Sequence, residues 1–127
     1  MKSLFDEQFE ALRAAYLGTA YMQRADGSRL IKIPNYALRP GCWNSLETTV
    51  YFLAVPSYPL AQPDCFWTDP QLKLASGGPP QNTSINNSHG GPESLLWFSW
   101  HVAKWDPNHD SLLTYLKVID RRLQECK

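Results

Sequence analysis

Residues 55–67 read VPSYPLAQPDCFW, and this stretch decides the fold. The residues that lead into it, 48–55, are an uninterrupted β-favouring run, which predicts a central strand buried on both faces. Prolines at positions 56, 59, 63 and 70 then remove backbone donors, so the chain cannot continue a regular ladder. We therefore expect an extended surface crossing that ends in a short strand at Phe66 and Trp67.

Two patterns precede this strand. Apolar residues between Leu4 and Tyr16 recur every three or four positions, which predicts an amphipathic helix. Ser3 is placed to cap this helix and Gly18 to end it. Residues 20–24 and 29–33 flank an Asp-Gly turn signal, and together they predict a β-hairpin.

Residues 75–92 consist almost entirely of Ser, Gly, Pro, Asn and Gln, which predicts a long irregular loop. Such loops are uncommon inside compact domains and are generally functional lids or disordered; the aromatic run that follows, 95–105, favours a lid. Apolar residues then recur at helical spacing between Leu112 and Leu123, with Asn108 or Asp110 as the expected cap. The whole pattern predicts a single α+β domain over residues 1–127.

The composition narrows the classes of partner. Hydrophobic residues make up 43% of the chain, which is enough for a packed core. Twelve basic and twelve acidic side chains cancel and are dispersed, so neither nucleic acid nor a membrane surface is an expected partner. No stretch reaches the roughly 18 to 20 apolar residues of a membrane span, and the N-terminus does not resemble a signal peptide. We expect a cytoplasmic protein.

The three cysteines, Cys42, Cys65 and Cys126, are widely spaced and include no C-x-x-C pair. This spacing suggests neither a disulfide framework nor a zinc cluster. The sequence therefore predicts three reduced thiols, with no metal site and no cofactor.

Three passages carry a family resemblance: VPSYPLAQPDCFW at 55–67, FSWH at 98–101 and WDPNHD at 105–110. The first resembles the part of E2 ubiquitin-conjugating proteins in which a strand ends at a Tyr-Pro turn and a short aromatic strand follows. The third resembles the Trp-Ser-Pro that opens the helix after the E2 active site. Together they resemble prokaryotic E2 family E, over roughly residues 30–123.

This resemblance implies an E2-like (UBC-like) fold with an N-terminal helix, an antiparallel meander of about four strands, a long active-site loop and a C-terminal helix. It also implies a transferase role in a bacterial ubiquitin-like conjugation cassette. The partners that it implies are an E1-like adenylating enzyme, a ubiquitin-like modifier and a deconjugating peptidase. A role in antiphage defence is suggested only by the kind of cassette.

The usual E2 nucleophile has no counterpart in this sequence. An ordinary E2 carries the modifier on a cysteine about eight residues before the Trp of Trp-x-Pro, because a thiolate is both a good nucleophile and a good leaving group. Counting back from Trp105 gives Trp97, and no cysteine lies between Cys65 and Cys126. A different acceptor is needed if the chain carries a modifier.

Ser99 stands in the right neighbourhood, and its hydroxyl is a candidate to hold the modifier as an oxyester. His101 is the nearest candidate base, and His89 in the loop is a second one. The Asn of the usual His-Pro-Asn signature, which stabilises the oxyanion, is absent; Asn86 or Asn87 is its candidate substitute.

Other interpretations stay open. In the E2 register, Cys65 falls on the strand after the Tyr-Pro turn, away from the catalytic groove, which makes it a weaker candidate acceptor than Ser99. The missing cysteine also fits a catalytically inactive E2 variant that binds the modifier or the E1 as an adaptor. A third alternative is an interaction domain unrelated to conjugation, since composition alone fits it equally well.

Overall fold

A computed structural model of the protein describes residues 2–127. Its elements follow in the order α1 (Leu4–Ala15), β1 (Ala20–Gln23), β2 (Arg29–Ala37), β3 (Glu47–Ala54), β4 (Phe66–Thr68), β5 (Thr83–Asn86), β6 (Leu95–Phe98) and α2 (Leu112–Leu123). The strands form one sheet in the order β1-β2-β3-β4-β6-β5, and every neighbouring pair is antiparallel. The predicted α+β class is confirmed, but the sheet has six strands and not about four.

Both helices cover one face of the sheet. Tyr21, Ile31 and Phe52 are cross-strand partners in a single row, so their side chains lie on the same face. Phe5 of α1 packs edge-on against Tyr21 with ring centroids 5.1 Å apart. Tyr115 of α2 lies 5.2 Å from Phe52, again between ring centroids. The core therefore forms between this face and the two helices.

The helix caps explain where the helices begin. Ser3 caps α1 in a capping box, as the sequence predicts. Ser111 caps α2 by accepting a hydrogen bond from the Thr114 N–H, so the expected caps Asn108 and Asp110 are wrong. Asp110 is engaged elsewhere, because its carboxylate accepts the N–H of residue 106. Neither helix has the length and apolar content that crossing a membrane requires.

The central strand β3 differs in one respect from its prediction. Its residues Thr48, Val50, Phe52 and Ala54 are buried, whereas the alternate residues from Thr49 onward are only half-buried. One face is thus in the core and the other is partly open. This pattern is what helices on a single face of the sheet produce.

The loop predicted over residues 75–92 contains a strand. Residues Thr83–Asn86 form β5 and pair with β6 along its whole length, from Thr83 opposite Phe98 to Asn86 opposite Leu95. The segment has one strongly apolar residue, Ile85, and that side chain is exposed. Its order therefore comes from backbone pairing at the sheet edge and not from a buried apolar face.

The cysteine prediction is wrong for two of the three residues. Cys42 and Cys126 are joined by a disulfide across 84 positions of sequence, with their Cα atoms 5.0 Å apart. The fold brings them together because the end of α2 returns to the β2–β3 connection, where the Trp43 Nε1–H donates to the Leu123 carbonyl. Cys65 is the free thiol among residues 2–127.

Candidate functional site

Two chain segments meet where β4 begins and β6 ends. The first is the proline-rich crossing, 55–65, and the second is the segment 99–105. Between them, the Cys65 N–H donates to the Trp100 carbonyl at 2.9 Å, and the Trp105 Nε1–H donates to the Pro59 carbonyl at 2.7 Å. Trp105 thereby fastens the Trp-x-Pro segment to the Tyr-Pro turn, whose peptide bond is cis.

Ser99 is the first residue after β6. Its N–H donates to the Asn82 carbonyl at 2.8 Å, which holds the backbone against the segment that leads into β5. The last pair of the β4–β6 ladder is Phe66 with Phe98, and beyond it the Cys65 N–H donates to the Trp100 carbonyl, so Ser99 lies between that pair and that hydrogen bond. Ser99 is half-buried, and its neighbours place it at the junction of the two segments.

His101 is held by an acidic partner from the crossing. Its Nδ1 atom lies 2.5 Å from Oδ1 of Asp64, and both side chains are exposed, at 63% and 54%. A neutral imidazole whose Nδ1–H donates to a carboxylate has its acceptor lone pair on Nε2. In the neutral tautomer that donates from Nδ1 to Asp64, Nε2 of His101 is the nitrogen that can act as a base.

Cys65 completes this cluster. The Sγ atom, a carboxylate oxygen of Asp64 and a ring nitrogen of His101 all lie within 4.8 Å of one another. The Cys65 side chain is buried, and this burial raises the pKa of its thiol. The E2 register placed Cys65 away from the catalytic groove, yet the structure brings it next to the candidate base.

The backbone of Cys65 adopts an unusual conformation. Its φ of 60° lies in the left-handed region, which is costly for a residue with a Cβ atom. Two hydrogen bonds hold it there: the N–H bond to Trp100, and a 2.7 Å bond in which the Tyr115 hydroxyl donates to the Cys65 carbonyl. Helix α2 thus fixes the point at which the crossing enters β4.

His89 lies at the other end of the β5–β6 hairpin. Its side chain is buried edge-on against Trp67, with ring centroids 5.8 Å apart. Burial, and to a smaller extent the positive charge of Arg24, lowers the pKa of His89. β5 ends opposite Leu95, and four residues of extended chain, about 13 Å, separate Leu95 from Ser99.

The candidate oxyanion residues are also at that far end. Asn87 lies in the turn after β5, where its carbonyl accepts the Gly90 N–H. The Asn86 side chain accepts hydrogen bonds from Ser88 and from the Trp67 indole. The structure therefore brings His101 and Cys65 together and places Ser99 in the same backbone junction, and it holds Asn86, Asn87 and His89 toward the far end of the β5–β6 hairpin.

A groove of about 640 Å³ opens beside His101, between the segment 100–105 and α2. Its floor is largely apolar, with Trp100, Trp105 and Val118 among the lining residues. Basic side chains, including Lys117, also line it, together with the acidic Asp110 and Glu125. His101 is the member of the Asp64–His101 pair that lines this groove.

Asp64, Cys65 and His101 offer oxygen, sulfur and nitrogen donors of the types that zinc accepts. Two donors on one tetrahedral zinc, each about 2.0 Å from the ion, lie about 3.3 Å apart. The 2.5 Å contact of Asp64 with His101 is shorter than that and is a hydrogen bond. As arranged, the three side chains fit a nucleophile, a base and an orienting carboxylate better than a metal centre.

Sequence reasoning missed Asp64 altogether and discounted Cys65. The partner of His101 lies 37 positions away, and no spacing rule connects the two. Trp97, the residue reached by counting eight back from Trp105, pairs with Trp67 across the β4–β6 ladder.

Comparison with known proteins agrees with the resemblance seen in the sequence. No curated protein and no solved structure matches the chain. The family model described as Prokaryotic E2 family E matches residues 7–126, which is nearly the whole chain. The chain belongs to prokaryotic E2 family E.

Proposed function

We propose that the protein is an E2-like carrier in a bacterial ubiquitin-like conjugation pathway. It accepts the activated C-terminal acyl group of a ubiquitin-like modifier from an E1-like enzyme and passes it to a target. Family membership supports the pathway. The observation that carries the chemistry is the contact between Nδ1 of His101 and the Asp64 carboxylate, in a histidine that also lines the groove; the neutral imidazole with its proton on Nδ1 supplies Nε2 as the base.

Ser99 is the proposed bearing residue. In the transfer step, the Ser99 hydroxyl attacks the acyl carbon of the E1 thioester while Nε2 of His101 takes the hydroxyl proton. A C–O bond forms, the C–S bond breaks, and the proton returns from His101 to the departing E1 thiolate. The product is an oxyester on Ser99 and a free E1 thiol.

The groove between segment 100–105 and α2 is the proposed path of the modifier's C-terminal end. It is large enough for an extended chain, and it opens next to His101. A deconjugating peptidase of the same cassette would later remove the modifier from its target. Antiphage defence remains the biological setting that we propose for such a cassette.

A second candidate function is that of an inactive E2 variant that binds the modifier or the E1 as an adaptor. Two observations favour it: Trp97 stands where an ordinary E2 has its cysteine, and the one free thiol among residues 2–127 is buried. An adaptor needs binding surfaces and no acceptor atom. It therefore predicts complex formation without any covalent adduct.

Replacing Ser99 by Ala separates the two functions. The carrier predicts that the wild type forms an adduct that hydroxylamine cleaves and mild thiol does not, and that Ser99→Ala removes this adduct while binding to the E1-like enzyme is kept. Ser88→Ala is the matched control, because Ser88 is exposed at the far end of the hairpin beside His89. Binding without any adduct in the wild type contradicts the oxyester and favours the adaptor.

A further inference from the structure

We propose that Cys65 is a second acyl acceptor of this site, with His101 as its base and Asp64 as the residue that positions the base. It takes the modifier's acyl group as a thioester. The inference rests on the proposed function for the identity of that acyl group. It adds a nucleophile that lies directly before β4 and not at the usual E2 position.

The first support is the arrangement of three side chains. The Asp64 carboxylate engages Nδ1 of His101 at 2.5 Å, and the Cys65 sulfur lies within 4.8 Å of this pair. A thiol, an imidazole and a carboxylate gathered this closely are the components of the general arrangement that activates a thiol. Catalytic contacts are often long without substrate and tighten when it binds.

The second support is that the fold holds Cys65 in a costly conformation. Its left-handed φ is maintained by the Trp100 carbonyl on one side and by the Tyr115 hydroxyl on the other. Backbone strain of this kind costs of order 1–3 kcal/mol and is concentrated at functional sites. The strain places Cys65 at the point where the crossing meets the segment that carries Ser99.

The third support is that the three side chains of the cluster differ in burial. Cys65 is buried, whereas Asp64 and His101 are exposed. A buried thiol without a partner stays protonated and is a poor nucleophile. A base at its exposed side removes that obstacle, so the reactivity of Cys65 depends on His101.

The chemical step is a thioester exchange. Nε2 of His101 takes the Cys65 proton, and the thiolate attacks the acyl carbon of the E1 thioester. The new C–S bond forms on Cys65, the old one breaks, and the proton passes from His101 to the departing E1 thiolate. Ser99 directly follows the last β4–β6 pair on the neighbouring strand, and its hydroxyl is the acceptor that the proposed function assigns.

Alkylation tests this proposal without any partner protein. Iodoacetamide labels accessible, activated thiols, and Cys65 is the free one among the residues described. Near neutral pH, His101→Gln should slow the labelling of Cys65 at least about tenfold, and Asp64→Asn should slow it by a smaller factor. The matched controls are His109→Gln and Asp106→Asn, an exposed His–Asp pair at 2.7 Å that should leave the rate unchanged.

Equal labelling rates in the wild type and His101→Gln would overturn the proposal, as would a folded wild type whose Cys65 is not labelled at all. Replacing the exposed Asp64 and His101 leaves the core intact, and circular dichroism checks that each variant is folded. The alkylation result does not depend on the carrier function, since the experiment contains no E1-like enzyme.

A synthetic peptide thioester ending in glycine tests the acyl transfer itself. The Ser99→Ala protein should acquire a peptide adduct that mild thiol removes, and Cys65→Ala should abolish that adduct. If Ser99→Ala acquires no adduct while the wild type acquires a thiol-resistant one, Cys65 is not an acceptor and the Ser99 carrier still stands. If Cys65 accepts the peptide but no modifier is ever loaded by the E1-like enzyme, the carrier function fails and the thiol assignment stands.

Discussion

The Nδ1 atom of His101 lies 2.5 Å from the Oδ1 atom of Asp64, although 37 positions separate the two residues in the sequence. The pair joins the proline-rich crossing to the segment before Trp105. It fixes the imidazole so that Nε2 faces away from the carboxylate and is free to take a proton. In our account, everything that the site does chemically depends on this orientation.

Removing the orienting carboxylate should slow acyl transfer without weakening binding. We expect Asp64→Asn to lower the maximal rate of modifier transfer by roughly tenfold to a hundredfold, since a positioned base typically contributes 10²–10⁴-fold. The half-saturating concentration of the charged E1-like enzyme should change little. Asp64→Glu should restore part of the rate, and Asp106→Asn, which loses a similar exposed contact to His109, should behave as wild type.

A purely structural Asp64 would give a different pattern. Asp64→Asn would then lower the melting temperature and leave the transfer rate of the folded fraction unchanged. Measuring both quantities on the same preparation distinguishes the two roles.

Arg122 is expected to contribute substantially to the free energy of unfolding. Its guanidinium is buried and donates to the carbonyls of Gln81, Glu125 and Lys127. Arg122→Met should leave these carbonyls without their donors and reduce the free energy of unfolding by about 2–3 kcal/mol. Arg121 is the exposed neighbour, and Arg121→Met should change the free energy of unfolding by less than about 0.5 kcal/mol.

Urea unfolding followed by tryptophan fluorescence measures both changes. An equal effect of the two substitutions would show that the buried guanidinium contributes no more than an exposed one.

His89 should make the protein less stable in mild acid. Burial and the charge of Arg24 lower the pKa of its imidazole in the folded protein below the ordinary value of 6.5. The unfolded chain therefore binds the proton more readily than the folded chain. The contribution of neutral His89 to the free energy of unfolding is present above pH 6.5 and is lost as the pH falls through that value. We expect His89→Asn to reduce the loss of stability in this range.

The measurement is the free energy of unfolding at two pH values, one pH unit above and one pH unit below 6.5. His109 is exposed, so His109→Gln should keep most of the wild-type difference. A wild type with the same stability at both pH values would contradict the assigned environment of His89.

Much of the fold was predictable, because local patterns specify it. The amphipathic spacing of α1 and α2 and the Asp-Gly turn between β1 and β2 depend only on neighbours in sequence. Strand β5 was not predictable, since its residues Thr83–Asn86 bury little and are ordered by pairing with β6. The Cys42–Cys126 disulfide was missed for the related reason that two distant segments meet only in the folded chain.

The residues of the site were likewise predictable only where a local pattern specifies them. Ser99 and His101 came from the family resemblance in one short segment. Asp64 and Cys65 reach that segment from the crossing through the left-handed turn at Cys65, which no sequence rule specifies. His89 was a candidate because it lies in the loop predicted as a lid over the site, but β5 extends the chain and holds His89 at the far end of the hairpin.

The most direct test of the central claim is the intact mass of the wild-type protein after incubation with ATP, its E1-like enzyme and its ubiquitin-like modifier. Our account predicts a species heavier by one modifier less one water, with the adduct mapping to Ser99 or Cys65 and its formation lost in His101→Gln. A protein that binds both partners, yet keeps its unmodified mass, would contradict the carrier function and identify an adaptor.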